Sequence, residues 1–150
     1  MTLRLLFAAG LFFVAGTAGI GIAVAQTSNE WILRAATARE NGEIDKAFAF
    51  VDKAIAAEPG AKLGYLFRAA LRESHPGTDR IAGLKQALAD YTAVLKIDPK
   101  DVDALQSRGC VNFQLARFDA SVADFDAFLV ERPNARKKHW QRGISLYYAG

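Results

Sequence analysis

Pro99 and Pro133 stand 34 residues apart, and Gly109 and Gly143 keep the same interval, as do Arg108 and Arg142. A proline, a glycine and an arginine sharing one 34-residue period leave few folds open. Stacked helix-turn-helix units repeat at this length, and each is too small to bury its apolar face without its neighbours. The period predicts an all-α solenoid, and it points to a binding surface before any chemistry.

The 150 residues hold one domain at most, and the first 25 read as something else. After Arg4 an apolar run extends from Leu5 to Val24 and ends in Ala23-Val24-Ala25 before Gln26. A basic start, an apolar stretch and small residues before a cut form the pattern of a cleavable secretory signal. Residues 1–25 are therefore expected to be removed, with the protein exported to the periplasm or secreted. The alternative is an uncleaved membrane anchor with the repeat outside the cytoplasm, because the run is about as long as a bilayer-spanning helix needs. Gly10, Gly16, Gly19 and Gly21 weaken such a helix.

The chain carries 19 basic and 16 acidic residues, a net charge of +3. That is too little to argue for nucleic acid, and membrane contact is expected only if the leader is retained. Cys110 is the only cysteine, so no internal disulfide can form and packing alone must hold the domain together.

Aligned on Pro59, Pro99 and Pro133 at the 32nd place, the units start near Ser28, Lys62, Val102 and Arg136. The fourth position is Trp31, Tyr65, Leu105 and His139, and the eighth is Ala35, Ala69, Gly109 and Gly143. In the second half of each unit, position 17 is Ile44, Leu84 and Phe118, position 20 is Ala47, Ala87 and Ser121, and position 24 is Val51, Tyr91 and Phe125. Small residues at 8 and 20 let two antiparallel helices approach closely, while large ones at 4, 17 and 24 fill the space beside that contact.

This pattern resembles the tetratricopeptide repeat (TPR), with a large residue at 4, Gly or Ala at 8, Ala at 20, an aromatic at 24 and Pro at 32. The leader makes the chain similar to exported bacterial proteins of that family. The resemblance extends from Ser28 to Gly150 and implies a right-handed solenoid of helical hairpins, with seven helices and no strands. Its units are expected near 28–61, 62–101, 102–135 and, incomplete, 136–150.

Unit two is six residues longer than the period, and the excess is assigned to the turn Ser74–Asp79. Asn41-Gly42-Glu43 is expected to turn the chain within unit one, and Glu58-Pro59-Gly60 to end its second helix. Thr78 or Asp79 is placed to cap the helix running to Lys96. Position 27, small in the family, is Ala54, Val94 and Phe128; position 11, often aromatic there, is Ala38, Arg72, Asn112 and Leu146.

The two histidines, His75 in the inserted turn and His139 at a packing position, have no cysteine or histidine partner at metal-ligand spacing. No nucleophile motif, phosphate loop or metalloprotease helix occurs, so neither an enzyme nor a bound metal or cofactor is expected. Arg34, Arg68, Arg108 and Arg142 all fall at position 7 and should form a ladder along one side of the stack. Asp90 and Asp124 at position 23 are placed to face Arg68 and Arg108, whereas unit one has Phe50 there. Two roles stay open: ion pairs within and between units, or a row of carboxylate-binding sites.

In the family, ligands usually lie in the concave groove lined by the first helix of each unit. The resemblance places Ile32 and Arg39 there from unit one, Leu66 and Glu73 from unit two, Gln106, Cys110, Phe113 and Gln114 from unit three, and Lys137, Trp140, Ile144, Tyr147 and Tyr148 from unit four. Phe113, Trp140 and Tyr147 are the candidate anchors, since aromatic residues commonly dominate interface energy. One family use, a Lys and Asn clamp on an acidic carboxyl terminus, is missing its residues: Ile32 and Ala36 occupy those places, and Asp103 adds an acid.

The expected function is thus a non-enzymatic module or scaffold at the cell envelope, binding an unidentified protein or peptide in the groove; a membrane-tethered assembly subunit is the alternative. The basic run from Arg132 to Arg142 reads as a solvated helix start, and Cys110 as a small residue filling a packed site. Gly150 is the 15th position of unit four, so the apolar Ile144, Leu146, Tyr147 and Tyr148 lack the second helix that would cover them. Truncation of a longer repeat protein explains this, as does a partner on that edge, including self-association through Tyr147 and Tyr148.

Overall fold

The computed structural model describes residues 27–150, with Lys137 and Lys138 described by their backbone alone. The signal expected over residues 1–25 and the competing anchor lie outside the described residues. Seven α-helices follow in order: α1 Ser28–Glu40, α2 Ile44–Ala57, α3 Lys62–Ser74, α4 Arg80–Ile97, α5 Val102–Gln114, α6 Phe118–Glu131 and α7 Trp140–Ala149. A 3-10 turn, Pro133–Lys138, precedes α7, and no strand occurs among the described residues. The helices pair as hairpins, α1 with α2, α3 with α4 and α5 with α6, and each hairpin packs on the next.

Local chemistry sets the helix limits. The Thr27 hydroxyl accepts the Glu30 amide at 3.3 Å while the Glu30 carboxylate accepts the Thr27 amide at 3.1 Å, a reciprocal cap on α1. Asp79 caps α4 through the Ala82 amide at 3.0 Å, and Asp101 caps α5 through the Ala104 amide at 2.9 Å. Position 15 closes the turn inside a hairpin in the left-handed region, at φ 75° for Gly42 and at φ 56° for Ala116. Only the second of these carries a Cβ in that region, where it is strained.

Close approach follows the register. Ala35, Ala69, Ala47, Ala87 and Ser121 are completely buried, as are Val51 and Phe125 at position 24. A Cβ on Gly109 would lie 2.5 Å from the Phe125 ring, so position 8 of the third hairpin admits glycine alone without movement. Gly143 breaks the expectation: among the described residues nothing lies within 4 Å of its Cβ position. The core runs through α3, α4 and α5, from Ala69 through Leu84, Tyr91 and Val94 to Leu105 and Val111.

The structure corrects two boundaries. The six extra residues of unit two do not all enter the turn: α4 has 18 residues against 14 in α2 and α6, and only 75–79 remain between α3 and α4. Most of the insertion is an added turn of helix, capped by Asp79, with Gly83 against the backbone of Pro76. Nor does the basic run begin a helix at Arg136. Cations at a helix start oppose the positive end of the peptide dipoles. The chain instead forms the 3-10 turn, and α7 begins at Trp140 behind His139.

Three arginines of the register, Arg68, Arg108 and Arg142, hold carboxylates. Arg68 donates to Asp90 from Nε and Nη2 at 3.1 and 2.7 Å, and reaches back to Asp52 of the preceding hairpin at 2.6 Å. Arg108 holds Asp124 from Nε at 3.0 Å and Nη2 at 2.5 Å, and Arg142 binds Asp126 of α6. Asp52 and Asp126 share position 25, where unit two has Thr92, so Arg108 has no such carboxylate behind it. Position 11 completes each buried acid: Arg72 joins Arg68 on Asp90, and Asn112 donates to Asp124 at 2.9 Å. Arg34 of the first hairpin places its guanidinium 5.0 Å from the Trp31 ring.

Candidate functional site

The first helices α1, α3, α5 and α7 carry the positions expected to line the groove, and the structure brings part of that set together. Cys110, Phe113 and Gln114 of α5, Trp140, Gln141 and Ile144 of α7, and the Phe125 ring of α6 line one pocket of about 190 Å³. Its wall is almost wholly apolar. Helical spacing explains the convergence, since Cys110 and Phe113 lie three apart on one face of α5, and Trp140 and Ile144 four apart on one face of α7. Phe125 is the buried floor, fixed by its contact with Gly109.

Phe113 stands edge-on to Phe118 and Tyr148 at 5.5 and 6.1 Å between ring centres. Phe118 and Tyr148 stack at 5.2 Å, so an aromatic cluster continues from the pocket to the end of α7. Trp140 is 66% exposed at the rim. Tyr147 is 81% exposed against Tyr148 and lies outside the pocket lining.

Polar residues border this pocket on the side of α3. The Tyr91 hydroxyl donates to Glu73, whose carboxyl is pushed above the usual range by burial and pulled back by that bond. Burial likewise raises the Cys110 thiol, with the nearby Glu73 charge adding to it. A thiol so shifted stays protonated at neutral pH and is a poor nucleophile, as expected of a packing residue. Gln106 is engaged twice: its amide nitrogen donates to Cys110 Sγ at 3.7 Å, and its oxygen accepts from His139 Nε2 at 2.7 Å.

His139 joins the pocket to the start of α7. Its ring lies 4.7 Å from Phe125 and 5.2 Å from Phe128, so the large residue at position 27 is absorbed as a histidine contact. The Nδ1 atom accepts the Arg142 amide at 3.2 Å and so caps α7. This pair of bonds requires the neutral ring with hydrogen on Nε2. Burial and the Arg142 charge lower its pKa below the ordinary imidazole value, against a backbone bond that raises it.

The remaining groove candidates lie elsewhere. Ile32 is half-buried, and Arg39 places its guanidinium 5.1 Å from the Phe67 ring, joining the first two hairpins. Leu66 packs on the core cluster and so supports the fold. His75 is exposed, its Nδ1 bonded to the Ser74 hydroxyl at 3.0 Å. Gln141 and Phe125 belong to the pocket although no groove position pointed to them. For Phe125 the signal was present, since the residue at 24 must lie beside a glycine at 8.

Helical hairpins stacked in a single file, with the first helix of each lining one face, define a repeat solenoid. The particular solenoid is the tetratricopeptide-repeat fold, and solved structures show it. No family model matches the sequence, and no curated protein does. The Arabidopsis OM64 TPR domain is 25% identical, with 79% of this chain and 93% of that one covered at a TM-score of 0.66. The first TPR of Spaghetti (RPAP3), solved with the HSP90 peptide SRMEEVD, is 21% identical over 87% of this chain and 100% of that one, at 0.69. A tetratricopeptide repeat protein from Parabacteroides merdae is 23% identical over 79% of this chain and 45% of that one, at 0.65.

Proposed function

We propose that this chain is a protein-interaction module that takes a peptide or helix along the face formed by its first helices, anchored in the pocket between α5 and α7. That pocket carries the reading. At about 190 Å³ it is smaller than the roughly 300–1,000 Å³ typical of small-molecule sites. Its lining is mostly apolar surface, which suits a bulky side chain of a partner. The peptide bound to the Spaghetti domain supports the mode of binding. It does not support the same ligand, because Ile32, Ala36 and Asp103 replace the residues of an acidic-terminus clamp.

We also place the module outside the cytoplasm, on the leader expected over residues 1–25. The amino-terminal sequence of the mature protein tests this: Gln26 as first residue supports export with cleavage, and a retained leader favours the tethered scaffold. For binding, a photo-cross-linker at Trp140 should capture a partner in cells that one at Val130, exposed on α6, does not. The captured protein must then bind the purified chain, and Phe113→Ala and Trp140→Ala must each weaken it at least about tenfold, the scale of an aromatic hot spot. Equal capture at both sites, or variants binding like the wild type, overturns the assignment.

A further inference from the structure

We infer that His139 is a pH-sensitive latch that holds α7 in place as a neutral imidazole and releases it as an imidazolium. The helix it caps is the last and shortest of the seven α-helices among the described residues. It has ten residues, packs chiefly on α6, and leaves Trp140, Leu146, Tyr147 and Tyr148 exposed. Elements with so little burial sit at the low end of local stability. The cap adds to a small set of anchors: the Ser145 hydroxyl bonded to Ser121 at 2.9 Å, Arg142 on Asp126, and Tyr148 stacked on Phe118.

The bonds of His139 depend on its charge. With a proton on Nδ1 the ring can no longer accept the Arg142 amide, and a positive charge then sits at the start of a helix, where the peptide dipoles repel it. The surroundings offer no compensation. From α5 the ring meets neutral Gln106, with Asp103 one turn back on that helix and exposed. From α6 it meets the rings of Phe125 and Phe128, while the α6 carboxylates Asp124 and Asp126 are held by Arg108 and Arg142. The 3-10 turn contributes the Arg136 carbonyl at 3.5 Å to the His139 amide, and the sequence before the ring is basic, Arg136-Lys137-Lys138. On α7 itself Arg142 disfavours a second positive charge.

The sign is set by the lowered pKa. The folded state prefers the neutral ring, so the latch contributes fully above the ordinary imidazole value of 6.5 and is lost as pH falls through the lower folded value. Trp140, Gln141 and Ile144 form the α7 wall of the pocket, so acid opens the proposed seat. That consequence rests on the binding function proposed above, whereas the latch is tested without any ligand.

Hydrogen–deuterium exchange on the full chain reads it directly, comparing α7 with α5 at about pH 7.5 and about pH 5 after correction for intrinsic exchange. Protection of α7 relative to α5 should fall about five- to tenfold at the lower pH, the scale of a lost cap. His139→Asn keeps an acceptor that does not titrate, and its α7 should show no such fall; His75→Gln should keep the fall. Unchanged α7 protection in the wild type overturns the latch, as does an equal fall in His139→Asn. Should the asparagine variant leave α7 unprotected at both pH values, NMR of the wild type decides. The Arg142 amide shift must follow the His139 ring titration, and an amide that stays fixed while the ring titrates overturns the proposal.

Discussion

Gly109→Ala and Gly143→Ala are the same substitution at the same register position, and the structure requires them to act in opposite directions. Gly109 lies where α5 and α6 come closest, with the Ser121 hydroxyl donating to its carbonyl at 2.8 Å. A new Cβ would stand 2.5, 2.8 and 3.0 Å from Cε1, Cδ1 and Cζ of Phe125, a ring with no exposure to solvent into which it could swing. Relief means parting the two helices or forcing the ring off its rotamer, about 1–3 kcal/mol for an overpacked core. Contacts to three ring atoms place it near the upper end, and alanine's helix propensity returns about 1 kcal/mol, for a net loss of about 2 kcal/mol. At Gly143 no atom lies within 4 Å, so only the propensity gain of up to about 1 kcal/mol remains, confined to α7. Urea unfolding followed by helical circular dichroism measures the first, and amide protection of α7 the second. A Gly109→Ala midpoint at or above that of the wild type, or a less protected α7 in Gly143→Ala, refutes the reasoning.

Arg108→Ala strips Asp124 of its guanidinium and leaves that buried carboxylate with Asn112, so a loss of about 2–4 kcal/mol is expected in urea unfolding. Asp124→Lys should likewise lower stability while leaving the affinity of a groove ligand for the folded chain unchanged; a specific loss of binding would return the ladder to a ligand role. Ala116→Gly relieves the one left-handed non-glycine residue among those described, and should raise stability by about 0.5–1 kcal/mol. Glu73 is held above its usual pKa by burial, so the folded state binds its proton more readily and gains stability as pH falls through that range. Glu73→Gln should therefore raise the urea midpoint at neutral pH, with the gain shrinking toward acid. Finally, the exposed rings of Tyr147 and Tyr148 should draw copies together, and light scattering at rising concentration tests it; a monodisperse monomer throughout sinks self-association.

The hairpins were legible from the period because their contacts are internal to one unit. A small residue at 8, another at 20 and a large one at 24 meet across two helices joined by a short turn, so sequence spacing translates directly into which atoms touch. Asp90 and Asp124 could be paired with Arg68 and Arg108 for the same reason. Asp52 and Asp126, each reaching an arginine of the next hairpin, were missed, since nothing in the spacing within a unit says which side chains of neighbouring units come within reach.

The pocket shows the same division. Phe113 and Trp140 stood at groove positions, but only the packing of α5 against α7 over the Phe125 ring gives them a common cavity and leaves Tyr147 outside it. The insertion divides between a turn and an added helical turn because Asp79 caps α4 and Gly83 lets it lie against Pro76. The last helix, α7, starts late, at Trp140, where His139 caps it with a ring packed on Phe125 and Phe128 and bonded to Gln106, residues of two other helices. Periodicity alone was enough for the class of fold and the pairing inside each unit, because those depend on neighbours along the chain. Pocket, latch and ion pairs between units depend on residues brought together from distant parts of the chain, and these the packed structure specified.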